Sequence, residues 1–314
     1  MSFPPYYGIS FTPTTHHTIP PSLLPTPTTL RAPSIAVVTG AGKGLGYHIS
    51  LAFARAGCTG LSISSRTSSD LSTLRTHLLQ INPDLDILTT VTDTQSDDSV
   101  SALAAAVRQK WGRVDTVIAN AGIISAYVRS SSALSDGQTN LPVGLIEDGD
   151  WARVLDVNLL GTWRVARAFL PLLSETKDGA QTLVVCTSLA AHSVDSAITP
   201  IAYNVSKMAC NRLVEHVDSD HRGKDGVHAY ALHPGAVVTP QTQGHRGGVW
   251  DEVAAGRILG DDEGLAGAWC VWLSGEKRGW LSGRYVSCGW DVEELEAKRE
   301  EIEERDLLKF RMVV

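Results

Sequence analysis

Tyr203 and Lys207 stand four residues apart in the run Tyr203-Asn204-Val205-Ser206-Lys207. On a helix that spacing stacks both side chains on one face. An ammonium held beside a phenol favours the phenolate. A tyrosine in such company can give or take a proton near neutral pH. Alone the pair says little, because a solvated lysine over a packed tyrosine has the same spacing. Its weight comes from what surrounds it.

Far upstream, Ile35-Ala36-Val37-Val38 is a short apolar run of the kind that forms a buried parallel strand. It leads into Thr39-Gly40-Ala41-Gly42-Lys43-Gly44-Leu45-Gly46. A helical pattern follows, with Ile49, Ala52, Phe53 and Ala56 on one face and Gly57 as its stop. Strand, glycine turn and helix together make a phosphate-binding site credible. Glycines let backbone approach a pyrophosphate, and the helix N-terminus offers N–H groups and the positive end of its dipole. The spacing is T-G-x-x-x-G-x-G rather than the common G-x-G-x-x-G.

With these motifs in hand, the chain resembles the short-chain dehydrogenase/reductase family from about Ser34 to about Trp290. The matches come in order. Thr39, Gly40, Gly44 and Gly46, with Lys43 and Leu45 inside the turn, fit the family's cofactor loop. Asn120-Ala121-Gly122 fits its N-A-G motif, and Asn158 its catalytic asparagine. Ser188 fits its catalytic serine, and Tyr203 with Lys207 its Y-x-x-x-K. Pro234-Gly235, with Val237 and Thr239, fits the P-G-x-V-x-T that touches nicotinamide in relatives.

The resemblance implies hydride transfer between a nicotinamide cofactor and a carbonyl or alcohol carbon. Tyr203 would supply the proton and Ser188 a hydrogen bond to the same oxygen. Lys207 would also bind the nicotinamide ribose. Asn158 resembles the residue that holds a water against that lysine. Ser188 lies fifteen residues before Tyr203, a longer interval than is usual in the family, which an extended loop would explain. Ser193 and Thr187 are the competing hydroxyls; Ser193 lies beyond the strand end and fits worse. His192, Asp195 and His233 fall nearby and are expected to be structural or to shape the substrate pocket.

Cofactor choice is read after the second strand. Ser64-Ser65-Arg66-Thr67 stands where an aspartate would repel a 2′-phosphate. Arg66 can grip a phosphate in a bidentate contact and stack on adenine, and Lys43 can add a second positive charge. Both point to NADP(H); the alternative is a solvated Arg66. On the adenine side Val91 is expected to contribute. Thr90 precedes it where relatives often carry an aspartate, and Asp93 comes three positions after Thr90.

These groups need a scaffold. Strands are expected near Leu61–Ser64, Ile87–Val91, Val114–Ala119, Gln181–Cys186, Val227–Leu232 and Arg284–Ser287, alternating with helices. The helical stretch from Asp148 to Leu173 reads as two pieces, and the Tyr203 helix as about Ile201–His221. Alternation argues for one doubly wound sheet. The expected fold is α/β: a single Rossmann-type doubly wound domain with a mostly seven-stranded parallel sheet flanked by helices, over residues 34–290. Residues 1–33 form a Pro/Thr-rich arm with no helix or strand period. It is read as an extended arm along the body or as a disordered leader, and as dispensable for cofactor binding. Residues 291–314 read as a charged amphipathic helix capping the domain or a neighbouring subunit. The pocket is expected from loops at Ile123–Ile146, Ala190–Ile201 and Gln241–Ile258, the last a glycine-bearing lid. They carry Tyr127, Arg129, His192, Ile198, His245, Arg246 and Trp250.

Composition sets outer limits. With 314 residues and 43% apolar content, the chain can bury a large core. A formal net charge of -7 argues against nucleic acid as a partner. The five cysteines are scattered without metal-ligand spacing, so no metal is expected, and a reducing, cytoplasmic setting is. No apolar run reaches bilayer length, and no signal peptide is read. The partner is then a small carbonyl or alcohol, with a homodimer or homotetramer expected from the family. The terminal segments look like those of fungal relatives, which would suit secondary metabolism. Two other readings share the fold: an isomerase, dehydratase or cyclase with structural or recycled NADP(H), and a non-catalytic NADP(H)-binding module.

Overall fold

The computed structural model describes residues 4–124, 150–194, 199–243 and 260–312. Its strands are Ile35–Thr39 (β1), Gly60–Ser65 (β2), Asp86–Val91 (β3), Thr116–Ala119 (β4), Thr182–Cys186 (β5), His228–His233 (β6) and Arg284–Ser287 (β7). They form one seven-stranded sheet in the order β3-β2-β1-β4-β5-β6-β7. Every pairing is parallel, which is the doubly wound sheet expected from the alternation. β1, β4 and β5 are buried along their whole length, as strands covered on both faces must be. The order reverses beside β1, so a crevice opens at the C-terminal ends of β1 and β4.

Helices cover both faces. Gly44–Arg55 (α1), Ser68–Ile81 (α2) and Leu265–Gly275 lie on one side, with Phe53, Leu74 and Trp269 in the core. Asp97–Trp111 (α3), Gly161–Glu175 (α5) and Ile201–Val217 (α6) lie on the other, with Leu103, Phe169 and Val214. α3 shows how locally these elements are specified. Ser96 caps it, its hydroxyl accepting from Ser99 N–H. Asp97 and Asp98 sit in its first turn, Arg108 and Lys110 in its last, and Gly112 ends it at φ 67°.

The two-piece reading of the stretch before β5 needs correcting. Trp151–Leu155 (α4) runs into α5 through a π turn at Asp156–Leu160, with no break. A π turn inserts one extra residue into a continuous helix and leaves the hydrophobic period almost undisturbed, so pattern alone misreads it. α6 ends the same way, in a π turn at Asp218–Arg222.

Both ends of the chain pack against the first helical layer. Leu23 and Leu30 of the leader join its core, beside Leu295 and Ile302 of the tail. The leader passes so close to the end of α1 that a Cβ at Gly57 would lie 2.1 Å from Pro27 O. Thr15 pairs with Trp290 as an isolated antiparallel bridge. The Trp290 indole donates to Gly8 O at 2.8 Å and packs against Phe11. Thr14 donates to Glu294 from both backbone and hydroxyl, and His16 pairs with Asp291. The arm thus lies along the body. Such packing is stabilising, so removing it is expected to weaken the domain, which a lack of periodicity did not predict. The tail forms two short helices, Val292–Ala297 and Arg299–Glu304, rather than one. Lys298 interrupts them.

The termini meet over His192. Phe310 stacks on its ring at 4.9 Å, Tyr285 meets it edge-on at 4.6 Å, and Tyr7 lies 6.3 Å away. Burial pushes the His192 imidazole down to about 4, and its Nε2 has no partner among the described residues. The folded protein therefore holds this ring neutral. Between pH ~6.5 and ~4 the unfolded chain binds a proton there that the folded chain does not, so stability falls as pH drops through that window. His192→Phe keeps a stacked ring and removes the titration. Its urea midpoint is expected to fall less than that of the wild type between pH 7 and 4.5. Equal falls would show that His192 plays no part in acid sensitivity.

Candidate active site

The crevice at the β1–β4 switch is a continuous cavity of about 570 Å³. Gly40, Lys43, Gly44, Leu45, Ser65, Arg66, Asn120, Ala121, Gly122, Ser188, Tyr203, Lys207, Pro234, Gly235, Val237 and Thr239 all line it. These residues come from positions as far apart in sequence as 40 and 239. Four predicted residues do not line it: Thr39, Gly46 and Asn158 stand behind the wall, and Val91 lies exposed to one side.

Thr39 ties the two strand ends together. Its hydroxyl accepts from Asn120 N–H and Ala121 N–H at 3.1 and 3.2 Å, and it reaches Ile118 O. Gly46 serves packing: a Cβ there would lie 2.3 Å from Gly40 O, so only glycine lets α1 sit this close to the turn. Asn120 closes the arrangement, its amide donating to Thr39 O and Gly40 O. α1 begins after Lys43 without a side-chain cap. Its first N–H groups therefore need a partner from the cavity side.

At the far end of the glycine turn, Arg66 is exposed and lines the cavity, with no carboxylate partner among the described residues. Lys43 differs. Its ammonium sits 3.2 Å from Asp70, a cavity-lining carboxylate that the sequence reading did not single out. Much of the Lys43 charge is thus answered locally, and the net positive field rests on Arg66. Val91 is misplaced by the sequence reading. It pairs with Ser65 at the end of β3, is 57% exposed and lies off the cavity. Thr92, Asp93 and Thr94, just beyond the strand, line it instead. Alternation of side chains along β3 turns Val91 outward.

The central group is built around Lys207, which is 5% exposed. Its ammonium donates to Cys186 O, the last carbonyl of β5, at 2.8 Å, and lies 5.6 Å from the centre of the Tyr203 ring. A Cβ on Gly122 would stand 3.3 Å from both Lys207 Nζ and Asn158 Oδ1. The π turn rolls Asn158 inward, fully buried. Its amide accepts from Ile123 N–H at 2.8 Å and donates to Ile123 O and to Ser206 Oγ. Ser206 in turn donates to Tyr203 O. Asn158 therefore welds the end of β4 to the first turns of α6.

Ser188 caps the short turn Leu189–His192, its oxygen accepting from Ala190 N–H at 3.1 Å. Its own O–H has no acceptor among the described residues and lines the cavity. Ser193 and Thr187 also line it; Thr187 directly follows β5, and its buried hydroxyl has no partner among the described residues, so a cluster of three hydroxyls stands here. His233 lines it as well. Its Nδ1 accepts from Leu189 N–H, and burial pushes the ring down to about 4, so it stands neutral as a structural acceptor. Burial likewise pushes the Cys186 thiol up to about 12, against the pull of Lys207. Gly42 was also passed over, although it stands inside the glycine turn; it lines the cavity against Ser65. So was Tyr7 of the leader. The expected pocket residues Tyr127, Arg129, Asp195, Ile198, His245, Arg246 and Trp250, and most of the expected lid, lie outside the described residues.

Among the described residues no helix is long and apolar enough to cross a membrane. The family model for short chain dehydrogenases matches residues 34–248. The chain is 33% identical to the short chain dehydrogenase pgmD of Aspergillus terreus over 99% of its length and 96% of the relative. It is 33% identical to the short chain dehydrogenase citE of Monascus ruber over 100% of both chains. Among solved structures, levodione reductase superposes with a TM-score of 0.67 at 21% identity, covering 81% of this chain and 95% of that one. The Pseudomonas aeruginosa RhlG/NADP complex does so with 0.68 at 21%, covering 83% and 96%. At that identity these two likenesses speak to fold alone. The family model and the full-length relatives speak to descent, and this chain belongs to the short-chain dehydrogenase/reductase family of oxidoreductases.

Proposed function

We propose that the protein is an NADPH-dependent reductase of a small to mid-sized carbonyl compound, or the dehydrogenase of the corresponding alcohol, in fungal secondary metabolism. One observation carries this reading. Arg66, the glycine turn, the Pro234–Thr239 segment and the Ser188–Tyr203–Lys207 group share one cavity. The fit of a dinucleotide rests on donors: uncapped N–H groups at the start of α1 suit a pyrophosphate, and the unpartnered guanidinium of Arg66 suits a 2′-phosphate. Lys207 and Tyr203 would hold the nicotinamide ribose, and Pro234, Gly235, Val237 and Thr239 the ring. When bound, the nicotinamide supplies or accepts the hydride. The fungal origin of the full-length relatives supports the biological setting.

The chain's own part is proton transfer and charge stabilisation. In the reductive direction Tyr203 gives its phenolic proton to the carbonyl oxygen as negative charge grows there. Ser188 donates a hydrogen bond to the same oxygen. Lys207, fixed against Cys186 O, places its charge beside the tyrosine ring, where it would face the negative charge left behind. Asn158 keeps this geometry through Ile123 and Ser206.

The reading includes a homodimer or homotetramer. Trp151, Leu160, Trp163 and Met208 keep 36%, 43%, 40% and 46% of their surfaces exposed on the α4–α5 run and on α6. Clustered exposed apolar groups of this kind support an interface.

Three outcomes follow. Arg66→Ala should weaken NADPH binding by roughly 1.5–3 kcal/mol, the worth of a charged hydrogen bond, with NADH binding nearly unchanged. Equal loss for both cofactors by titration would remove the phosphate assignment. Tyr203→Phe should bind NADPH normally yet lose about 10²–10⁴ in turnover, the range for a positioned general acid; Lys207→Ala should damage both, and Ser188→Ala turnover alone. A Tyr203→Phe enzyme at the wild-type rate would sink the mechanism. Light scattering after size exclusion should find an oligomer that Leu160→Asp with Met208→Asp reduces to monomer; a monomeric wild-type protein would refute the assembly.

A further inference from the structure

We infer that the N-terminal leader is part of the substrate site, with Tyr7 as its specificity-determining residue, and that the substrate presents a planar ring system to it. The inference rests on the reading above, in which the Ser188–Tyr203 end of the cavity takes the substrate. Tyr7 ends a short turn, Pro5–Tyr7, that packs on the Leu189–His192 turn directly after Ser188. It is 4% exposed and lines the cavity together with Leu189, Ala190 and Ile123. A tyrosine fixed this firmly meets a ligand with the part of its ring that reaches the cavity, at little entropic cost on binding.

Charge separates the two ends of the cavity. Lys43, Arg66, Asp70 and Asp93 all stand at the glycine-turn end. Among the described residues that line it, the Tyr7 end carries none but Lys207, which is tied to Cys186 O, while the Asp261 carboxylate lies behind the wall, held by Ala236 N–H. His233 there is held neutral by burial. The described part of this wall, an aromatic residue with apolar neighbours, favours a flat, unsaturated ligand over a sugar.

A second contact fixes the leader to the site by an independent route. His17 Nδ1 lies 2.6 Å from Asp261, and the other oxygen of that carboxylate accepts from Ala236 N–H at 2.6 Å. Ala236 sits inside the Pro234–Thr239 segment and lines the cavity. The leader therefore braces both walls at the reacting end, Tyr7 on the serine side and His17 through Asp261 on the other.

The test compares 1-indanone with cyclopentanone, which differ by one fused benzene ring. Each is titrated calorimetrically into full-length protein saturated with NADP⁺, so that no turnover occurs. The wild type should bind 1-indanone more tightly. Tyr7→Ala should weaken 1-indanone ~5–20-fold and cyclopentanone less than ~2-fold, with NADP⁺ affinity unchanged, and Tyr7→Phe should keep the preference. If Tyr7→Ala does not fold, Tyr7→Leu fills the space without an aromatic face and should lose the preference that Tyr7→Phe keeps. A wild type that does not prefer 1-indanone, or a preference that survives Tyr7→Ala or Tyr7→Leu, overturns the inference. Turnover of both ketones by Tyr203→Phe with NADPH separates the two levels. Its loss leaves the proposed chemistry standing whatever Tyr7 does; its survival removes the chemistry itself.

Discussion

A buried ammonium is the constraint around which the site is arranged. Lys207 is 5% exposed, and a cation so far from water costs several kcal/mol unless acceptors replace its hydration. β5 ends where its last carbonyl, Cys186 O, is left to accept from Nζ. Gly122 carries no side chain at the point where one would crowd Nζ and Asn158. The π turn presents Asn158 to α6, and through Ser206 to the backbone of Tyr203. Nearby titratable groups are kept from interfering. The Cys186 thiol is pushed up to about 12 by burial, and the His192 and His233 rings are pushed down to about 4. None of the three adds charge near neutral pH.

The same economy of charge divides the cavity. Its positive end, at Arg66, is tempered by Asp70 on Lys43 rather than built as a plain basic patch. Carboxylates at 70 and 93 would discourage an anion from settling beside them, which leaves Arg66 and the N–H groups at the start of α1 to meet negative charge. The opposite end relies on shape and on aromatic surface, supplied partly from a segment outside the sheet.

What could be read in the sequence was what local physics repeats. Strands buried on both faces give apolar runs, a glycine turn between strand and helix gives phosphate chemistry, and a spacing of four gives a shared helix face. Those rules placed the sheet, α1, Tyr203 and Lys207. They failed where the answer depends on distant partners. The leader has no period because it docks by single aromatics and turns, so Tyr7 left no pattern to find. The π turn is nearly silent in the hydrophobic period. Asp70 is one of several carboxylates in a solvated helix start, and only the fold brings it to Lys43. Val91 was assigned by its place in a motif, but one residue of strand register decides which way it faces.

The leader's moorings set an order of assembly. Gly8 and Thr14 bond to Trp290 and Glu294, some 280 positions later in the chain. A ribosome makes the N-terminus first, yet these residues have nothing to dock on until nearly the whole chain has emerged. Tyr7 can meet the Leu189–His192 turn earlier, but its anchoring through Gly8 and Thr14 waits for that late contact. The Rossmann core can therefore condense around its central strands while one wall of its cavity is still unanchored. A nascent or C-terminally shortened chain would hold the glycine turn and the Tyr203 helix, and still lack the moorings of the face that closes over Ser188.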